Sequence, residues 1–378
     1  MMKSPFQYGT LADKENFVDR VEERRQLKEL LGGGINVMLI SPRRWGKSSL
    51  VKKAMDELTN EDKKFHVCYI DAFSIKTEAE FYRTFAREVI ACAASTLEKR
   101  LEDVKNFLRA ISPSVTLKSD SSDSMSFDLK FNLEEREALE VLDLPERLAT
   151  SKGIRLIVCI DEFQQLAQLD GYKALEGKMR SVWQKQQAVS YCFYGSKRHM
   201  MMDIFNNSAN PFYRFGQILF LQKIKKEEWI PFILQSFRKT GKRITPTQAG
   251  RLCDIVKCHS WYLQQLCYFV WSGVAGTVTD DLIDSRVSQL IDTNMPMFMN
   301  DTERLTAAQI GMLRAVADGE HRFNSAAVSS TYELGGAQTI TRNKRMLVER
   351  DFIEREGEAY VFSDPIFELW FRREYGQR

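Results

Sequence analysis

Residues 35–50 read INVMLISPRRWGKSSL, and this stretch decides the fold. Its first part, Ile35–Ile40, is a short apolar run of the kind that forms a strand buried on both faces of a parallel sheet. A turn follows, and a helical pattern begins near Lys47. Gly46 allows the backbone to turn so that consecutive N–H groups face an anion, and the N-terminus of the helix adds the positive end of its dipole. The stretch therefore predicts a loop that binds phosphate groups.

The spacing in this loop is that of the Walker A motif, G-x-x-x-x-G-K-[ST], with Ser41 in the position of the first glycine. In this motif the lysine, here Lys47, reaches the β- and γ-phosphates of a nucleotide, and the hydroxyl of Ser48 ligates Mg²⁺. The alternative is an ordinary strand, turn and helix with a surface lysine. The preceding strand and the following helix favour the nucleotide site, because the motif requires that context.

A pair of acids follows another apolar run. Ile154–Ile160 (IRLIVCI) ends directly in Asp161 and Glu162, which is the Walker B pattern. We expect Asp161 to hold Mg²⁺ through its water shell, and Glu162 to polarise the water that attacks the γ-phosphate. Lys47 and Glu162 are therefore the predicted catalytic residues, and Ser48 and Asp161 are the predicted metal ligands.

A further polar residue, Ser196, follows the strand-like run Val189–Tyr194. Open α/β sheets place their ligands at the carboxyl ends of the strands, so Ser196 is expected to contact the γ-phosphate or to position water. The alternative is the N-cap of the next helix. The predicted cofactors are ATP and Mg²⁺, and the predicted nucleotide-binding residues are Arg43, Arg44, Trp45, Gly46, Lys47, Ser48, Ser49 and Ser196.

The other apolar runs, His66–Ile70 and Gln217–Leu221, also alternate with helical patterns, which is typical of a doubly wound α/β fold. Residues 113–132 break the alternation. Their period of two around a polar centre predicts an inserted β-hairpin with its tip at 119–124, and the alternative is a disordered loop. We expect a P-loop α/β core with a parallel sheet at 1–222, a helical lid domain at 223–300 and a winged-helix domain at 301–378.

The winged helix is predicted from three helical patterns followed by two short strands, Phe352–Glu356 and Ala359–Ser363. Its third helix carries basic residues, whereas the wing (EREGEAY) is acidic. Acidic side chains repel phosphates, which favours a protein-contact or autoinhibitory surface and leaves at most weak, sequence-independent binding of duplex DNA. The basic residues are Arg342, Lys344, Arg345 and Arg350.

The composition excludes some classes of protein and leaves others open. The chain has 378 residues, which suits two or three domains. Its net charge of +3, from 54 basic and 51 acidic residues, neither demands nor excludes a nucleic-acid partner. The seven cysteines contain no C-x-x-C pair and the four histidines lack the spacing of a zinc site, which favours a reducing cytoplasm. No apolar stretch suits a signal peptide or a membrane span, so we expect no membrane partner.

These motifs resemble those of the prokaryotic ATPases of the AAA+/STAND type that are called the archaeal ATPase family, and the resemblance covers nearly the whole chain. SPRRWGKSSL is similar to the family's GPRRxGKTSL, IDEFQQL resembles its Walker B run, and YGSKRHMMMDIF resembles its sensor region. An N-terminal stretch also matches the family, at residues Phe6, Tyr8, Gly9, Phe17, Arg20 and Glu23.

The resemblance implies a sensor role for Ser196 and places the N-terminal stretch near the adenine. It leaves Arg214 open, as either a structural residue or one that serves a nucleotide in a neighbouring subunit. One segment departs from the family, because KCHSWYLQQL stands where relatives carry G-G-x-P-x-x-L. Cys258, His259 and Ser260 occupy positions of small residues and proline there, so no nucleotide contact is expected from this turn.

Two functions remain open. The first is a slow, partner-regulated ATPase that converts ATP and water to ADP and phosphate, couples its nucleotide state to a protein or nucleic-acid partner, and forms a nucleotide-dependent homo-oligomer. The second is a DNA-binding regulatory module in which hydrolysis is weak or absent. A nucleoside or small-molecule kinase fits poorly, because Glu162 suits the activation of water. GTP is not expected, since the sequence has no N-K-x-D motif to read its base.

Overall fold

The computed structural model describes residues 3–10, 16–93, 116–118, 128–130 and 135–376. It divides the chain into two compact units. One unit is Arg20–Gln222, and the other is Met1–Asp19 together with Lys223–Arg378. The boundaries of the three expected domains stay predictions.

A parallel sheet forms the centre of the Arg20–Gln222 unit. In chain order the strands of this unit are β1 (Val37–Ile40), β2 (Phe65–Asp71), β3 (Thr116–Lys118), β4 (Asp128–Lys130), β5 (Arg155–Asp161), β6 (Val189–Gly195) and β7 (Gln217–Phe220). In the described residues the sheet has the strand order β2-β5-β6-β1-β7, and each pair is parallel. Every residue of β1 and β6 is buried, which explains why these strands are apolar without alternation. The carboxyl ends of β1, β5 and β6 therefore lie side by side.

Helices pack against both faces of the sheet. They are α1 (Val21–Gly32), α2 (Lys47–Glu61), α3 (Glu78–Ala93), α4 (Glu135–Lys152), α5 (Tyr172–Trp183) and α6 (Arg198–Asn206). Successive side chains of a strand point to opposite faces, and on β1 both sets are buried. Met38 and Ile40 join the core cluster that includes α3, α4 and α5, whereas Val37 and Leu39 are buried on the other face. The prediction of a doubly wound P-loop fold is confirmed.

The predicted hairpin is also found. Strand β3 pairs antiparallel with β4, and Thr116 lies opposite Lys130 in the register. The predicted tip, 119–124, lies outside the described residues.

Trp183 anchors an aromatic cluster beneath the sheet. It is 2% exposed, and its ring centroid lies 4.3 Å from that of Tyr191 and 5.7 Å from that of Phe85. Its indole Nε1 donates a hydrogen bond to the carbonyl oxygen of Leu142 over 3.2 Å. Trp183 therefore joins the C-terminus of α5 to β6, α3 and α4.

Replacing Trp183 by alanine is expected to lower the free energy of unfolding by about 3–5 kcal/mol, because a large buried cavity forms and a hydrogen bond is lost. Urea denaturation followed by circular dichroism measures the change. Phe73→Ala is the matched control, since Phe73 is 57% exposed in the same unit, and we expect a change within about 0.5 kcal/mol. Equal effects of the two substitutions would contradict the assignment of Trp183 to the core.

The second unit is helical and ends in a winged helix. Its helices and strands are α7 (Lys226–Lys239), α8 (Pro246–Ile255), α9 (Ser260–Gly273), α10 (Asp280–Glu303), α11 (Ala307–Ala317), α12 (Ala326–Thr331), α13 (Ala337–Glu349), β8 (Ile353–Glu356), β9 (Ala359–Phe362) and α14 (Pro365–Tyr375). β8 and β9 pair antiparallel and form the wing. The order of three helices and a wing confirms the predicted winged helix. No helix in the described part of the chain combines the length and the apolar character that a membrane span requires.

Candidate nucleotide-binding site

The predicted phosphate loop joins β1 to α2. Gly46 immediately precedes α2 and has a φ of 86°, in the left-handed region that favours glycine. A side chain at this position would meet no atom within 4 Å, so the backbone conformation, not crowding, requires glycine here. Arg44 is also left-handed, with a φ of 65°. The loop therefore turns sharply and leads into the N-terminus of α2, as the sequence predicts.

Lys47 lies between the two predicted acids. Its side chain is 7% exposed, and its ammonium Nζ lies 3.4 Å from Oε1 of Glu162 and 4.0 Å from Oδ1 of Asp161. A buried cation is stable only beside anionic partners, and these carboxylates supply them. The Walker A lysine and the acid pair thus form one charged cluster.

Ser48 completes the contact between α2 and β5. Its Oγ donates a hydrogen bond to Oδ2 of Asp161 over 2.6 Å. Burial raises the pKa of Asp161, although Lys47 and Ser48 act in the opposite direction. The two predicted metal ligands therefore present adjacent oxygen atoms at the end of β5.

Glu162 is held by several neighbours. Its backbone is left-handed, with φ 48° and ψ 40°, and its Oε2 accepts hydrogen bonds from Oγ of Ser196 at 2.8 Å and from Nε2 of Gln164. Burial acts to raise the pKa of Glu162, but Lys47, Gln164 and Ser196 stabilise the charged form, and the pKa is lowered. The carboxylate is therefore ionised at neutral pH and fixed in orientation.

Gln164 is a residue that sequence reasoning missed. It is fully buried, and its Oε1 has no hydrogen-bond partner among the described residues. Gly195 makes room for it, because a Cβ at that position would lie 1.9 Å from Oε1 of Gln164 and 2.8 Å from Sδ of Met201. The segment Phe163–Gln168 reads FQQLAQ and contains three glutamines, so no local pattern singles out Gln164.

A core aromatic residue fixes the chain just after Glu162. Phe163 is fully buried, and its ring centroid lies 4.5 Å from that of Phe193. It also packs against Phe205 and Phe212. Glu162 therefore directly follows β5 and precedes a residue that is anchored in the aromatic core.

The remaining predicted nucleotide-binding residues occupy the loop and the first turn of α2. The Arg43 and Arg44 side chains are exposed, Trp45 is half-buried and Ser49 is buried. The structure thus brings Lys47, Ser48, Asp161, Glu162 and Ser196 into one cluster of contacts, and places the two arginines toward solvent.

Arg20, from the N-terminal stretch, supports the same loop. Its side chain is 4% exposed and contacts Oε1 of Glu23 at 2.7 Å. It also donates to the carbonyl oxygens of Gln222 at 2.5 Å and of Trp45 at 3.4 Å. Arg214 is exposed and left-handed, and its guanidinium lies 5.2 Å from the ring centroid of Tyr213. The two alternatives for Arg214 stay open.

Two family models match the sequence of this chain. The model of a family described as an ATPase domain predominantly from Archaea matches residues 17–259, and the model of a winged helix domain matches residues 296–373. No curated protein has a matching sequence.

Two solved structures are similar over nearly the whole chain. A Walker-type ATPase of Pyrococcus abyssi is 18% identical with a TM-score of 0.70, and the match covers 97% of this chain and 99% of that one. The ORC2 protein of Aeropyrum pernix, in its ADPNP–ADP complexes, is 13% identical with a TM-score of 0.59, covering 98% and 100%. At these identities the likeness establishes the fold. The family match spans more than half of the chain and includes the phosphate loop and the acid pair, so the chain belongs to the family of ATPase domains that are found predominantly in Archaea.

Proposed function

We propose that the chain binds ATP with Mg²⁺ and hydrolyses it slowly, under the control of a partner, so that its nucleotide state acts as a molecular switch. The observation that carries this proposal is the cluster at the carboxyl ends of β1, β5 and β6. Lys47 and Ser196 both contact Glu162. Ser48 contacts Asp161 beside them. A cation, oxygen ligands and a carboxylate in one place are the parts that phosphoryl transfer to water requires.

Lys47 is the proposed contact to the β- and γ-phosphates. Its ammonium is nearly buried and already ion-paired with two carboxylates. Phosphate oxygens are anionic partners of the same kind, so the lysine can exchange one set of partners for another without losing its charge compensation. The other residues that we assign to nucleotide binding are Arg43, Arg44, Trp45, Gly46, Ser48, Ser49 and Ser196.

Ser48 and Asp161 fit a Mg²⁺ ion. Oγ of Ser48 and Oδ2 of Asp161 lie 2.6 Å apart, and hydroxyl and carboxylate oxygens are ligands that Mg²⁺ prefers. A bound Mg²⁺ would neutralise negative charge on the phosphate oxygens.

Glu162 is the proposed general base. Its lowered pKa keeps the carboxylate ready to accept a proton from water. Ser196 and Gln164 both donate to Oε2, so they fix the direction in which this carboxylate points. Ser196 thereby links the end of β6 to the base, and Gln164 acts as a positioning residue.

Gly195→Ala tests this positioning. The added Cβ would displace the side chain of Gln164 and break its hydrogen bond to Glu162. We expect kcat to fall by about a hundredfold, because small misplacements of a catalytic group are costly, while ATP binding is retained. Single-turnover phosphate release measures the rate. Gly177→Ala in α5 is the control, since no atom lies within 4 Å of the added Cβ, and its rate should stay at that of the parent. A Gly195→Ala variant that turns over normally would exclude Gln164 from the reaction.

Phosphate release from ATP tests the proposed function itself. We expect release by the parent chain to exceed that of Lys47→Ala and to depend on Mg²⁺. A parent rate no higher than the variant rate, with ATP still bound, would support a regulatory nucleotide site without hydrolysis.

Size measurements with ATP, with ADP and without nucleotide test the proposed nucleotide-dependent homo-oligomer.

A DNA-binding module is the second candidate, and one face of α13 favours it. Arg342 and Arg345 are exposed on this helix together with Gln338 and Thr341. Arg345 pairs with Glu349 at 3.3 Å, which reduces the charge that it offers to phosphates. The wing residues Glu356 and Glu358 are exposed as well, and their carboxylates repel the phosphates of a nucleic acid. A protein partner therefore fits this surface better than DNA.

We expect the parent to bind duplex DNA weakly, without sequence preference, and with a steep loss between low and physiological salt. Arg342→Glu with Arg345→Glu should remove this binding and leave basal hydrolysis unchanged. Arg238→Glu with Lys239→Glu, two exposed residues of α7, is a control of equal charge change. Filter binding across a salt series measures the affinity. Tight, salt-resistant and sequence-selective binding by the parent would make the winged helix a specific DNA reader.

A further inference from the structure

The turn that follows α8 has an unusual backbone. Cys258 N–H donates to the carbonyl of Cys253 at 2.8 Å, and Lys257 N–H donates to the carbonyl of Asp254 at 3.1 Å. This pair of hydrogen bonds defines a Schellman motif at the C-terminus of a helix. Lys257 and Cys258 have φ values of 49° and 55°, so two consecutive residues other than glycine are left-handed.

The motif brings two cysteine side chains together. In a Schellman motif the side chain after the turn packs against the one at the third position from the helix end, which are here Cys258 and Cys253. Cys258 packs against the core cluster that contains Cys253, and each thiol shifts the pKa of the other. Cys253 is fully buried in the core of its unit, whereas Cys258 is half-buried and reachable from solvent. The pair therefore has one accessible and one protected sulfur.

The surroundings make the two sulfurs chemically different. The hydrogen bond from Cys253 lowers the pKa of Cys258, and the ammonium groups of Lys223 and Lys226 act in the same direction, against burial and Asp254. The same hydrogen bond, with burial, raises the pKa of Cys253. Reactivity toward oxidants follows the thiolate, so Cys258 is the sulfur that reacts first.

We propose that Cys253 and Cys258 are a redox pair, which a hydroperoxide converts into a disulfide across the turn between α8 and α9. The pair lies in the second compact unit, and the proposal is independent of the function assigned to the nucleotide site.

The chemistry is a two-electron oxidation of the two thiols. The Cys258 thiolate attacks one oxygen of hydrogen peroxide, the O–O bond breaks, and the other oxygen leaves as hydroxide, which takes up a proton to become water. Cys258 is then a sulfenic acid. Cys253 loses its proton and attacks this sulfur, and the S–O bond breaks as the S–S bond forms. The displaced hydroxide takes up a proton to become the second water, so two thiols and one peroxide yield one disulfide and two waters.

Trypsin offers a sharp test, because it cuts after Lys257, between the two cysteines. The full-length protein is treated with hydrogen peroxide, its remaining thiols are blocked with N-ethylmaleimide, and the tryptic peptides are analysed by mass spectrometry. We expect residues 252–257 and 258–286 to appear as one species that has lost two hydrogen atoms and that separates after reduction. Cys258→Ser should abolish this species. The second peptide also contains Cys267, and Cys267→Ser should retain it.

The alkylation rate of a second cysteine in the parent protein serves as a kinetic control. Cys92 is also half-buried, but burial raises its pKa to about 12. Under limiting iodoacetamide we expect Cys258 to be alkylated faster than Cys92 by about tenfold or more. The proposal is wrong if peroxide leaves residues 252–257 unlinked in the parent, if the link survives in Cys258→Ser, or if Cys92 reacts as fast as Cys258.

Discussion

Replacing Lys47 by alanine is expected to weaken ATP binding by roughly a hundredfold, or about 3 kcal/mol, because charge-assisted contacts to the phosphates are lost. The structure supports this size of effect. The ammonium is nearly buried beside the acid pair, where water screens its charge poorly. Titration with a fluorescent ATP analogue measures the affinity.

Lys52→Ala is the matched control. Lys52 lies further along the same helix, but its side chain is 51% exposed and pairs with Asp56 at 3.4 Å. We expect ATP affinity to be unchanged in this variant, because a surface lysine contributes little. Equal affinities of the parent and of Lys47→Ala would place the nucleotide elsewhere.

Replacing Glu162 by glutamine is expected to slow hydrolysis by about a hundredfold or more while ATP stays bound. Glutamine keeps the shape of the side chain, but it cannot accept a proton from the attacking water. Its amide oxygen can still accept the hydrogen bond from Ser196. Single-turnover phosphate release separates this loss from any change in binding.

Glu61→Gln, at a side chain that is 60% exposed at the end of α2, removes one carboxylate from the same unit and should leave the rate unchanged. A Glu162→Gln variant that hydrolyses ATP at the parent rate would remove Glu162 from the role of base. The same result together with normal ATP binding would favour the regulatory site.

The sequence predicts the phosphate loop and the order of strands and helices well, because each depends on local patterns. The first strand is shorter than predicted, since it begins at Val37 and not at Ile35. Asn36 lies just before the strand, and its side-chain Oδ1 accepts a hydrogen bond from the backbone N–H of Tyr191 at 2.9 Å. A polar residue at the start of an apolar run marked this boundary.

Contacts between distant positions could not be predicted. The fit of Gln164 against Gly195 depends on the register of β5 and β6 and on a buried side chain, and neither has a local signal. The register of β2 and β5 likewise places Asp71 beside Asp161, and no spacing in the sequence indicates this. The left-handed pair Lys257 and Cys258 runs against local preference, because non-glycine residues rarely adopt that conformation.

The attachment of Glu162 to the aromatic core bears on how this protein can evolve. Glu162 holds a left-handed conformation that is unfavourable for a non-glycine residue, and the next residue, Phe163, is clamped by rings from β6 and from the segment after it. We expect a substitution among those rings to weaken this packing and to let the backbone of Glu162 relax. Under the proposed role of Glu162 as the base, selection on the rate of hydrolysis also acts on this aromatic core, which should then change in sequence more slowly than its contribution to folding alone would require.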